Sequence, residues 1–200
     1  MHFQAHELAA LIAVVSFAAG VNVYATVAML GLLGRFGELD LPPSLHDLTS
    51  WTVIAIAGIL FAIEFFADKI PAFQVVWNAM HTFVRIPVAA FLAFQATAGL
   101  PLWEQALATT AGSLIAFAAH GGKMATRIAA APAPVPFKNA TVSFGEDAFV
   151  VFLMWLVSVH PFLAAAIVLG ITALFALCIR WVFCTLRNLF RRGSRVAVPA

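Results

Sequence analysis

Nine polar residues lie between or inside apolar stretches of this chain: Asn22, Glu64, Asp68, Asn78, His81, Arg85, His120, Lys123 and Arg127. Glu64 and Asp68 are four apart, so they share a face if that segment is helical. After Pro71, the residues Gln74, Asn78, His81 and Arg85 recur at helical spacing. Phe73, Val76, Trp77, Met80 and Val84 fill much of the other side, which makes the segment amphipathic. His120, Lys123 and Arg127 form a third stripe if a helix runs through Gly121 and Gly122. Guanidinium groups favour carboxylate or phosphate, and imidazole exchanges protons near neutrality. The chemistry open to this set is ion pairing, ion binding or a proton relay.

The elements that must position these groups are membrane helices. Apolar residues make up 63% of the chain and charged residues 10%, against about 45–50% and about 25% in an ordinary soluble domain. The sequence predicts a single all-α membrane domain over 1–200. A helical span needs about 20 residues. Six stretches qualify or nearly so: 8–34, 50–67, 86–102, 103–120, 144–160 and 162–184. The amphipathic segment 71–85 is expected to lie in the interface or to turn back among the spans. Asn22 falls inside the first stretch, where an amide braces a neighbouring helix or lines a cavity.

Charge sets the expected orientation. The tail carries Arg180, Arg187, Arg191, Arg192 and Arg195 without an acid, and residues 121–143 carry Lys123, Arg127 and Lys138 without one. Residues 35–49 set Arg35 against Glu38, Asp40 and Asp47. Basic loops stay inside, so six spans with both termini cytoplasmic satisfy the pattern, in a bacterial cytoplasmic membrane. Three spans in each of two halves, 8–102 and 103–184, would give inverted repeats, an arrangement that places working sites at the repeat interface. Gly20 precedes Arg35 by the same interval as Gly112 precedes Arg127. The expected partner is the lipid bilayer, with a homo-oligomer left open. The short basic tail reads as an orientation signal, not a nucleic-acid site, and no residue pattern calls for a cofactor.

Counting Glu64, Asp68, Lys69, Arg85, Lys123 and Arg127 gives two acids against four bases. Buried ions need partners, so either the groups neutralise one another, with Glu146 and Asp147 completing the balance, or an anion does. A metal held by Glu64, Asp68, His81 and His120 is the weaker reading: HExxH and paired cysteine ligands are missing, and the nearby bases oppose a cation.

Four blocks carry a family resemblance: G20-V-N-V-Y24, E64-F-F-A-D-K-I-P71, W77-N-A-M-H-T-F-V-R85 before Pro87, and H120-G-G-K-M-A-T-R127. Together they resemble the DUF4126 family, small integral membrane proteins of unassigned function, over most of 20–139. The family commonly has acids at the positions of Gln74 and Asn78, and a Pro-Glu-Pro run where this chain has Pro132-Ala133-Pro134. Those departures weaken a cation or metal role carried over from the family. The resemblance implies membrane location and no particular activity. The leading expectation is a small transporter or channel for an anion or a phosphate-bearing lipid. Its rivals are a scaffold with internally paired charges, a cation or metal transporter, and a lipid-acting enzyme with His81 or His120 as base.

Overall fold

The computed structural model describes residues 4–130 and 138–193, with side chains given except at 71–75, 127–130, 138–139, 179 and 182–193. The described chain is helical throughout: α1 (Ala5–Val21), α2 (Val23–Arg35), α3 (Trp51–Ala67), α4 (Pro71–Ala96), α5 (Leu102–Ala130), α6 (Lys138–Val159) and α7 (Pro161–Gly193), with a 3-10 turn at Pro43–Thr49.

The stretch 8–34 is not one span. Asn22 is extended (φ −148°, ψ 102°) and separates α1 from α2. Its backbone N–H stays with Ala18 O (2.8 Å) while its side-chain Oδ1 accepts from Ala25 N (3.0 Å). One residue therefore closes the first helix and caps the second. The two helices fold back on each other. Leu30 of α2 lines the same small apolar pocket as Leu11, Ile12 and Val15 of α1, whereas a straight helix would hold Leu11 and Leu30 roughly 28 Å apart. The far end of α2 packs on the 3-10 turn, and Ser44 of that turn hydrogen-bonds Gln95 O near the end of α4. At about 25 Å and 20 Å, neither arm crosses a hydrocarbon core of about 30 Å. The pair is a helical hairpin with Asn22 at its tip.

Side-chain contacts give the direction of the other helices. Tyr24 meets His81 while Ser16 and Ala93 share one pocket wall, so α4 runs antiparallel to α1. Gly20 faces Ala116 and Ser16 faces Gly112, so α5 runs parallel to α1. Asn22 meets Asp147 and Phe17 meets Phe149, which turns α6 around again. His6 stacks on Phe162, and Gly122 packs under the Phe175 ring, so α7 descends beside α5. Helices α3 to α7 thus alternate, and α1 is the buried centre, touching α2, α4, α5, α6 and α7.

Several expectations change. Among the described residues three helices can cross a membrane by length and composition, Val76–Ala96, Ala140–Val159 and Pro161–Cys178; a fourth counts if the 3-10 turn and α3, bent by 66°, are one span. Six are not found, because the first stretch splits into two short arms and polar residues dilute α5. The segment 71–85 is not separate from 86–102: α4 runs through Pro87 and stops at Ala96. α5 likewise continues through Gly121 and Gly122. The start of α1 and the end of α7 lie at opposite ends of the bundle. Inverted halves would set their first helices antiparallel, but α1 and α5 are parallel. The Gly20 and Gly112 echo is one of packing: each lets this helix pair approach closely.

A Cβ at Gly20 would strike the Ala116 backbone carbonyl, which cannot swing away, whereas one at Gly121 meets nothing. Gly20→Ala should therefore cost about 1–3 kcal/mol through overpacking, and Gly121→Ala should be neutral or stabilising by up to about 1 kcal/mol. Thermal unfolding of the two variants in detergent, side by side, checks the contrast.

Candidate functional site

The hairpin tip, the end of α3 and the middles of α4, α5 and α6 converge on one polar cluster. Each helix delivers its residues for a local reason. α3 ends at Asp68, so Glu64 and Asp68 stack one turn apart over its last turn. α4 begins at Pro71, whose missing N–H is harmless there, and turns Asn78, His81 and Arg85 toward α3. Unbroken helix past Gly122 keeps His120 and Lys123 on one face of α5.

Lys123 is the hub. Its ammonium donates to Val21 O at the end of α1 (3.1 Å) and to Asp68 Oδ2 (3.1 Å). Glu146 Oε2 stands 3.4 Å away and Glu64 Oε1 3.9 Å. Three N–H bonds thus face four oxygens from three other helices. The negative end of α1 is met by this cation, as the helix dipole favours. Arg85, fully buried, pairs directly with Glu64, also fully buried. Asn78 Nδ2 donates to Asp68 Oδ1 (3.4 Å).

The histidines are held differently. Arg85 Nη1 can only donate, so His120 Nδ1 accepts from it (3.0 Å). His120 Nε2 then carries the proton and donates to Thr82 Oγ1 (2.7 Å), which donates to Asn78 O (3.2 Å). His81 is the opposite tautomer. Its Nδ1–H donates to Trp77 O (2.8 Å) and its Nε2 accepts from Tyr24 Oη (3.1 Å). The His81 ring also stacks on Trp77 with centroids 4.4 Å apart.

At the hairpin tip, Asn22 Nδ2 donates to Asp147 Oδ1 (2.8 Å). Asp147 makes no ion pair among the described residues, and its Oδ2, like Glu64 Oε2, Arg85 Nε and Ser143 Oγ, is buried without a hydrogen-bond partner.

Of the sequence-predicted residues, the structure brings together Asn22, Glu64, Asp68, Asn78, His81, Arg85, His120 and Lys123. The side chain of Arg127 lies outside the described residues. Lys69, counted with the cluster, stands at its edge: it donates to Phe65 O (2.9 Å) and lies over the Phe65 ring. Burial there lowers its pKa against the raising influence of Asp147 and Asp68. The sequence reading gave Glu146 and Asp147 only a balancing role and missed Tyr24, Thr82 and Ser143 as contacts. Helical spacing marks Ser143 and Asp147 as one face of α6, the one signal that was available. Among the described side chains the cluster sets Glu64, Asp68, Glu146 and Asp147 beside Arg85 and Lys123. Glu64, Asp68, His81 and His120 do not form a metal centre: no group of three or more His, Cys, Asp or Glu among the described residues is placed to hold a metal ion.

Removing one member of a buried pair strands the other, at a cost of about 3–5 kcal/mol. Glu64→Ala and Arg85→Ala should each destabilise by that order. The double variant should cost less than the sum by about 0.5–3 kcal/mol. A double-mutant cycle read by unfolding in detergent measures the difference; additive losses would mean the two side chains do not meet.

No curated protein matches the chain, and no solved structure matches it. One family model, a domain of unknown function (DUF4126), matches residues 9–181. That span covers the hairpin, all the cluster residues and most of α7, and the chain belongs to the DUF4126 family.

Proposed function

We propose that this protein is a small membrane transporter or channel whose working site is the cluster under the hairpin tip, and that its cargo is a small cation or proton. The carrying observation is Asp147: a buried carboxylate with one neutral amide donor and no cation partner. Glu64 Oε2 adds a second buried carboxylate oxygen without a donor. Burying an ion costs several kcal/mol unless it is compensated, and a positive occupant compensates where an anion would add to the cost. A re-entrant hairpin supports the same reading, since broken backbone at membrane depth persists where protein shields it or a polar cavity receives it, and discontinuous helices are a recurring way to build ion sites.

Sidedness follows from charge. Lys69 and the ends of α5 and α7, which lead to Lys138 and the Arg-rich tail, lie at one end of the bundle. Glu38, Asp40 and Asp47 lie at the other. The positive-inside pattern puts the basic end in the cytoplasm of a bacterial cell. The hairpin then enters from outside, α1 starts outside and α7 ends inside. Exposed Ile59, Phe83, Leu114 and Leu174 are the faces offered to acyl chains.

The second reading is a non-transporting scaffold. Direct contacts of Glu64 with Arg85 and of Asp68 with Lys123 favour it, because internal pairing accounts for those four groups without any cargo.

Liposome flux separates the two. Reconstituted wild type should carry H⁺, Na⁺ or K⁺ down an imposed gradient well above empty vesicles, with Asp147→Asn at least tenfold slower. Folded wild type that moves none of these ions sinks transport of cations. Flux of phosphate alone would return the cargo to an anion.

A further inference from the structure

We propose that Ser143 and Asp147 of α6, beneath the hairpin tip, form a binding site for a sodium ion. Both residues are buried, Ser143 completely. They are four apart on one helix, so their side chains project from the same face with Cβ atoms about 5–6 Å apart. Yet Ser143 Oγ and Asp147 Oδ2 each lack a hydrogen-bond partner. A buried hydroxyl one turn from a buried carboxylate ordinarily finds it. Here neither oxygen bonds the other or any other group, an arrangement that suits two ligands sharing a third body.

The charge of that third body follows from what surrounds Asp147. Its Oδ1 takes only the Asn22 amide. The N-terminus of α2, which Asn22 caps, offers roughly half a positive charge. Lys123 donates to Val21 O and Asp68 Oδ2 and stands 3.4 Å from Glu146 Oε2, and Lys69 donates to Phe65 O. Neither lysine comes within ion-pair distance of Asp147. Water alone would satisfy a hydrogen bond and leave the charge. A proton on Oδ2 would remove the charge but create a buried donor, and Oδ2 meets no hydrogen-bond partner in the structure. A small monovalent cation answers both: it neutralises one carboxylate and accepts hard oxygen ligands from hydroxyl and carboxylate. Helix spacing of one turn suits a small ion, hence sodium, with Asn22 tying the occupied site to the hairpin tip.

This site deepens the cation reading, which it takes as its setting, but it is tested by binding and not by flux. The full chain in detergent is melted in NaCl, KCl and choline chloride at equal ionic strength. The melting temperature should rise with NaCl along a saturable curve, with KCl weaker and choline inert. Ser143→Ala should shift the half-saturating NaCl concentration upward at least tenfold, and Asp147→Asn should abolish the response. If Asp147→Asn does not fold, the wild-type comparison of the three salts with Ser143→Ala decides. Equal curves in all three salts overturn the site. So does a sodium response that survives both substitutions, and so does stabilisation by acid with no sodium effect, which would give Oδ2 to a proton. Flux without a sodium response leaves transport standing and removes this site; a sodium response without flux does the reverse.

Discussion

An ammonium group at membrane depth must be compensated on all sides at once. Lys123 meets that demand with the carbonyl end of α1, Asp68 of α3, and Glu146 of α6, with Glu64 just beyond. Those partners lie far apart in sequence, so the ammonium fixes four helices relative to one another more tightly than apolar packing in lipid does, where tails are as apolar as leucine. Arg85 repeats the device between α3 and α4. The helices can afford smooth, small-residue contacts elsewhere, as at Gly20 against Ala116, because polar contacts set the register.

The hairpin follows from the same constraint. Breaking a helix at membrane depth frees carbonyls at one end and N–H groups at the other. Lys123 takes Val21 O, and Asn22 takes Ala25 N while holding Asp147. A cation at the carbonyl end and a carboxylate at the amide end match both dipoles. The break is therefore tolerated only while α5 and α6 stand where they do, and the cluster and the topology are one feature seen twice.

The sequence made the helical class, the membrane setting and most of the cluster legible, because apolar runs and helical spacing are local signals. Glu64 with Asp68, Asn78 with His81 and Arg85, and His120 with Lys123 could each be read on one face. The hairpin could not. GVNVYAT looks like uninterrupted span, since Asn22 is one amide in an apolar run, and its break depends on Asp147 125 positions away. Pro87 misled in the other direction: a proline late in α4 reads as a boundary, yet the helix absorbs it. The place of Lys69 was hidden for a similar reason. Lys69 follows Asp68 directly, but adjacent residues on a helix end point to different sides, and its stem lies along Phe65.

The two histidines divide the proton chemistry of the site. His120 must offer a lone pair to Arg85, so a second proton on its ring would set two donors face to face and release Arg85 from its place. His81 has no such conflict. Its Nδ1–H already donates to Trp77 O, and Tyr24 Oη can accept from a protonated Nε2 as readily as it donates to a bare one. His81 thus ties the hairpin to α4 through Tyr24, while His120 is a brace that keeps the guanidinium aimed at its carboxylate.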